Sequence, residues 1–227
     1  MALIRKYRSR VVSVEQPLEE IYVVVFESLE KNYKFKPGQF LHLALDPYDP
    51  TKAWPDSRCF SIQSPPEESF IKITFSKKGK YTERMSRELL QGKEVTLKLP
   101  FGDLFQKPHE KENCVFIAGG TGITPFLSLF NDYSFVDYKN VNLYFGVRNS
   151  SSHIYQDEFD KARTINNSLK VQVINQSTDG IMGIKQIIKE NSKNTTYFIS
   201  GPPEMIKVFK KSLTENNIEN IRTDDWG

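Results

Sequence analysis

"CVFIAGGTGITPFLSLF", Cys114–Phe130, places an apolar run, three glycines, two threonines, a proline and a second apolar run within seventeen residues. Val115–Ala118 has the continuous apolar character of a buried strand, and Phe126, Leu127, Leu129 and Phe130 recur at helical spacing. The glycines between them remove side chains that would hold a ligand away and open backbone angles closed to other residues. A strand, a glycine turn and a helix start can together receive a phosphate on backbone N–H groups at the positive end of the helix. The same letters also serve a tight strand-to-helix turn with no ligand.

Downstream the rhythm of strand and helix continues through "VNLYFGV", "YQDEFDKA", "LKVQVIN", "IKQIIKE", "TYFISG" and "PEMIKVFKKSL" to "IENIRTD". This pattern predicts an α/β domain over residues 109–227 with a five-stranded parallel sheet covered on both faces. Open sheets of this kind bind ligands beyond the carboxyl ends of their strands. The glycine loop, Gly146–Ser152 and Ser200–Met205 each follow a predicted strand, so three candidate loops converge on one rim.

Upstream, residues 1–108 read as short β-rich runs, "RSRVVSVEQ", "EIYVVVFES", "QFLHLAL", "RCFSIQS", "FIKITFS" and "KEVTLKL", broken by Pro, Gly and charged turns. They predict an antiparallel six-stranded β-barrel or sandwich. One helix interrupts it, with Tyr81, Met85 and Leu89 on one face and Gly92 at its end. Thr82 is the expected N-cap of that helix, and Gly79 lets the chain approach a ligand closely, which makes a phosphate seat. On the strand "RCFS", Arg58 and Phe60 share one face and Ser61 takes the other. A guanidinium can hold a phosphate by paired hydrogen bonds while a nearby aromatic flanks a planar ring. Arginine beside an aromatic is common on any strand, and it gains meaning here from the second seat, since two seats in one barrel suit a pyrophosphate.

Composition narrows the chemistry. At 227 residues the chain accommodates two small domains, 38% apolar and 12% aromatic content supports real cores, and no run nears the ~20 apolar residues of a membrane span. "MALIRKYRSR" lacks the apolar run of a secretory signal, so a cytoplasmic location is expected. Cys59 and Cys114 are the only cysteines, too few for a disulfide framework or an iron–sulfur cluster, so redox chemistry would need an organic cofactor. His42, His109 and His153 form no ligand spacing, and no metal site is expected. A net charge of +3 is too small and dispersed for nucleic acid. A monomer is expected.

Four motifs in one order carry a resemblance. "RCFS" resembles the Arg-x-aromatic-Ser flavin motif of the ferredoxin-NADP reductase superfamily, and "GKYTERM" is similar to its Gly-x-x-Ser/Thr pyrophosphate turn. "GGTGITP" resembles its nicotinamide-nucleotide loop, and "ISGPPEM" its final Cys-Gly-x-x-x-Met segment. The resemblance implies an FAD-binding barrel, residues 1–108, followed by an NAD(P)-binding domain, residues 109–227. It implies that Arg58 and the turn Gly79, Lys80, Tyr81 and Thr82 hold the FAD phosphates, that Phe60 lies along the flavin, and that Ser61 approaches its N5. Gly120, Thr121, Gly122, Thr124 and Pro125 would border the nicotinamide nucleotide with Gly201, Pro202 and Met205. Two departures stand out: Ser200 replaces a cysteine common in the family, and the sequence closes on "TDDWG", where Trp226 would take the place of a terminal tyrosine over the flavin.

The implied reaction moves hydride from NAD(P)H to FAD and electrons onward, so position and polarity matter more than acid–base groups. No triad of residues for nucleophilic catalysis is discernible. The expected acceptor is a small electron-carrier protein such as ferredoxin or flavodoxin, in keeping with a basic pI of 8.7. An NAD(P)H:flavin reductase or the reductase component of an oxygenase is the alternative, and a non-catalytic nucleotide-binding redox sensor is the reading from another class. NADPH is the expected donor, because "GVRNSSSHIY" offers Arg148 with Ser150, Ser151 and Ser152 to a 2′-phosphate, although Asp157 or Asp179 could instead meet the ribose hydroxyls of NADH.

Overall fold

The computed structural model describes residues 3–149, 151, 153–192 and 194–224. The chain divides into two compact units, Met1–Asp103 and Leu104–Gly227. Sequence rhythm changes near residue 108, whereas the second unit begins at Leu104 because Leu104, with Phe105 packed alongside, belongs to a core built on Phe116 and Phe126.

The first unit contains strands β1 (Arg5–Leu18), β2 (Ile21–Ser28), β3 (Phe40–Ala44), β4 (Ser57–Ser61) and β5 (Phe70–Ser76), helix α1 (Lys80–Glu88) and strand β6 (Glu94–Phe101). The six strands form one sheet in the order β4-β3-β6-β1-β2-β5, with every pairing antiparallel. Past β4 the chain turns back on β5, where the Gln63 amide donates to Lys72 O at 2.8 Å, so the sheet rolls into a barrel. Alternation along β1 turns Tyr7, Ser9 and Val11 inward and leaves Lys6, Arg8 and Arg10 outside. Tyr81 and Met85 of α1, with Leu89 at its end, sit one helical turn apart and join that barrel core.

The second unit runs β7 (Asn113–Gly119), a 3-10 turn (Gly120–Ile123), α2 (Thr124–Phe130), a second 3-10 turn (Tyr133–Asp137), β8 (Asn140–Val147), α3 (Gln156–Ile165) and β9 (Leu169–Asn175). It continues through α4 (Gln176–Asp179), α5 (Ile184–Glu190), β10 (Thr196–Ser200), α6 (Pro203–Glu215) and β11 (Ile221–Thr223). The sheet is parallel in the order β11-β10-β7-β8-β9. Phe116, Phe145 and Phe198 pack one face against Phe126, Phe130 and Phe159, while Val115, Ile117, Tyr197 and Ile199 pack the other against Ile187, Phe209 and Leu213. Two covered faces explain why these strands are continuously apolar. Among the described residues no helix is long and apolar enough to cross a membrane.

Candidate functional site

In the barrel unit, β4 pairs Arg58 with Leu43, Phe60 with Leu41 and Ser61 with Phe40. Phe60 is buried, its ring 6.1 Å from that of Phe75, and Ser61 is buried as well. Arg58 is exposed. Its Nη1 donates to Asp56 Oδ1 at 2.6 Å and to Ser57 O at 2.7 Å, and its guanidinium carbon stands 4.8 Å from the centre of the Tyr81 ring. Tyr81 comes from the first turn of α1. Its hydroxyl donates to Leu43 O at 2.6 Å and lies 3.3 Å from Asp56 O, and burial pushes its pKa up to about 12. The strand arginine and the helix start, distant in sequence, therefore meet through one tyrosine.

Thr82 is not the N-cap that its position suggested. Gly79 is the cap residue, and Thr82 is the third residue of α1, reaching back so that its Oγ1 accepts from the Lys78 amide at 2.9 Å and the Gly79 amide at 3.2 Å. A hydroxyl three positions inside a helix can satisfy the open amides of the entry turn as well as a cap can. Gly79 has φ 178° and ψ 174°, an extended conformation open to any residue, and a methyl group there would meet nothing within 4 Å. Neither packing nor backbone angle of the chain requires glycine at this point. Lys78 and Lys80 flank it, both exposed. The helix is pinned from behind: Arg84 donates Nη1 to Asp46 Oδ2 at 2.8 Å, pairs through Nη2 with Asp46 Oδ1, and donates Nε to Glu88 Oε1 at 2.6 Å. The Arg84 guanidinium holds both carboxyls below their usual range. A guanidinium, two exposed ammonium groups and a helix N-terminus form a donor set suited to a doubly charged phosphate ester.

In the second unit, register places Gly119 beside Gly146 and Ser200 beside Ala118, so the loops after β7, β8 and β10 begin at one level of the sheet. Here most glycines are required by the chain itself. A Cβ on Gly122 would come within 2.6 Å of the Gly201 backbone, and one on Gly119 within 3.0 Å of Met205 Sδ and Pro202 Cδ. "GGTGITP" and "ISGPPEM" thus touch backbone to backbone. Gly120 differs, because its φ of +55° favours glycine while a Cβ would meet nothing within 4 Å. Thr124 and Pro125 are buried, with the Thr124 hydroxyl donating to Thr121 O at 3.0 Å, so they brace the loop from below. Gly120 and Pro202 are exposed, and Thr121, Gly122, Gly201 and Met205 are partly so.

Ser200 is buried and donates to Asp224 Oδ2 at 3.2 Å, while the Asp224 amide donates to Ile199 O at 2.9 Å. This carboxylate on the rim was not singled out from sequence. Asp56 was missed too, although a period of two along extended chain puts it beside Arg58. At the β8 loop Arg148 is exposed and its carbonyl accepts from the Ser177 amide at 3.2 Å, while Ser151 Oγ donates to Asn149 Oδ1 at 2.7 Å. Asp179 is occupied by its own turn, accepting from the Asn175 amide at 2.9 Å and the Thr178 hydroxyl at 3.0 Å, and Asp157 lies in the first turn of α3. Ser150, Ser152 and Trp226 lie outside the described residues. Among the described residues no group of three or more His, Cys, Asp or Glu side chains could hold a metal ion.

Residues 116–211 match the family model for the oxidoreductase NAD-binding domain. The chain is 27% identical over 206 residues to the phenol 2-monooxygenase reductase component DmpP of Pseudomonas sp. (strain CF600), covering 84% of this chain and 56% of that protein. It is 29% identical over 139 residues to the terephthalate 1,2-dioxygenase reductase component 2 of Comamonas sp, covering 60% of this chain and 39% of that relative. The chain thus spans only 39% to 56% of the length of these two curated relatives. Among solved structures, a ferredoxin NADP+ reductase from Neisseria gonorrhoeae with bound FAD and NADP aligns over 99% of both chains with a TM-score of 0.78 at 21% identity. The Amycolatopsis cytochrome P450 reductase GcoB aligns over 98% of this chain and 70% of its own, with a TM-score of 0.83 at 17% identity. The chain has the fold of these ferredoxin-NADP reductase-like structures, and residues 116–211 within its second unit match the oxidoreductase NAD-binding domain.

Proposed function

We propose that the chain is an FAD-dependent NAD(P)H oxidoreductase that takes hydride from NAD(P)H and passes electrons to a small electron-carrier protein. The observation that carries this reading is the junction of Arg58 with the Gly79 turn through Tyr81, a cationic seat with a glycine that nothing in the chain itself requires. FAD, when bound, would supply hydride acceptance and one-electron release, which no side chain here can provide. Arg58, Lys78 and Lys80 would hold its pyrophosphate, Tyr81 would support the guanidinium from beneath, and Thr82 would keep the Gly79 turn in shape. Phe60 and Ser61 would stand beside the flavin ring. Gly120, Thr121 and Gly122, with Gly201, Pro202 and Met205, would border the nicotinamide nucleotide.

NADPH is the preferred donor in this reading. Arg148 is exposed, and Asp179, which would serve NADH by accepting from ribose hydroxyls, is already bonded within its own turn. A second reading, the reductase part of an oxygenase, is favoured by the similarity to the phenol 2-monooxygenase reductase component. Steady-state assay of FAD-reconstituted protein with NADPH and NADH against ferredoxin, flavodoxin, free flavin and an oxygenase component separates these readings. The expected outcome is highest kcat/KM with NADPH and a carrier protein. Reduction of free flavin alone would replace the carrier reading, and a colourless protein that binds no FAD and oxidises neither donor would overturn enzyme function altogether.

A further inference from the structure

We propose that Asp56 is a brake on phosphate binding at Arg58, so that the flavin is held as an exchangeable ligand and not as a permanent fixture. The inference rests on the flavin reading above and adds a residue that tunes it. Asp56 precedes Arg58 by two residues and lies 2.6 Å from its Nη1, with both side chains more than half exposed, at 62% and 53%. A pair so exposed contributes little to folding.

Nor is Asp56 needed to aim the guanidinium. Ser57 O accepts from the same Nη1 at 2.7 Å, and the Tyr81 ring lies beneath at 4.8 Å, itself fixed by its 2.6 Å bond to Leu43 O. What remains is charge. A phosphate seated on Arg58 would share that cation with a carboxylate already on it, and like charges a few ångströms apart repel even near water. The two lysines at the helix start have no such rival, since among the described residues neither Lys78 nor Lys80 forms an ion pair. Arg84 in the same unit shows the other use of an acidic partner: its side chain is only 32% exposed, and its pair with Asp46 ties α1 to the segment just after β3, while Glu88 holds it within the helix. Arg58 has the charge pairing without the structural task.

The test is flavin binding by the full chain, stripped of flavin and titrated with FAD and with riboflavin, which carries no phosphate. Asp56→Asn is expected to bind FAD about three- to tenfold tighter and to release it correspondingly slower, with riboflavin unchanged and the gain shrinking at high salt. Asp56→Glu should stay at the wild-type value, and the gain should vanish in the Arg58→Ala background, because it acts through that cation. If Asp56→Asn, folded by circular dichroism, binds FAD no tighter while Arg58→Ala binds it more weakly, the brake is overturned and the flavin seat stands. An equal gain for riboflavin, or one that survives loss of Arg58, also overturns it. If Arg58→Ala leaves FAD affinity untouched, the seat itself is wrong and the brake falls with it.

Discussion

Glycine serves opposite ends in the two units. On the rim of the parallel sheet, Gly122 is forced by the Gly201 backbone at 2.6 Å, so the chain needs a bare backbone there whether or not a ligand ever arrives. At the entry to α1, Gly79 has an ordinary extended backbone and open space around its α-carbon. The conspicuous glycine-rich loop is therefore the weaker witness to ligand binding, and the single glycine among lysines is the stronger one. A glycine reports a ligand only after packing and backbone angle have been discounted.

The largest effect that could break this contrast is at Arg58, the charge that Tyr81 joins to the Gly79 turn. Arg58→Ala should cost about 2–4 kcal/mol of FAD binding, as truncating one partner of a charge pair does once the bound ligand has buried it. Unfolding temperature should hardly change, because the side chain is exposed. Full flavin occupancy in that variant would return the barrel seat to a surface ornament. Next comes the glycine pair itself. Gly122→Ala should destabilise the protein by about 1–3 kcal/mol, since two backbones must part to admit a methyl group. Gly79→Ala should leave melting nearly unchanged and weaken FAD instead. Calorimetry and flavin titration on the two variants would reverse the contrast if the losses were exchanged.

A smaller effect is expected at Arg148, where removal of one exposed cation should lower the kcat/KM preference for NADPH over NADH by about three- to tenfold, less at high salt. An unchanged ratio would show that the β8 loop does not read the 2′-phosphate. The smallest concerns acid. Arg84 holds the Asp46 and Glu88 carboxyls below their usual range in the folded state. As pH falls the unfolded chain takes up protons first, so the contribution is present above the ordinary carboxylate range and is lost below it. Both pairs are partly exposed, so the effect should be modest. The Arg84→Met variant should show a shallower acid decline of melting temperature than wild type, and parallel declines would remove these pairs from the account.

What sequence alone determined was everything written at short range. A period of two in residues 1–108 and alternating apolar strands and helical repeats beyond it predicted six antiparallel strands with one helix and then a five-stranded parallel sheet, as found. Tyr81, Met85 and Leu89 could be placed on one helical face because their spacing is itself the helical repeat. Tertiary structure decided the rest. It moved Thr82 from cap to third helical residue, pressed Gly122 against Gly201, set Tyr81 beneath Arg58, and revealed Asp56 on Arg58 and Asp224 on Ser200. Local preference fixes dihedral angles and faces residue by residue. Which distant side chains meet depends on the path of the whole chain, and that path is set by the packing of two cores whose members no short window of sequence contains.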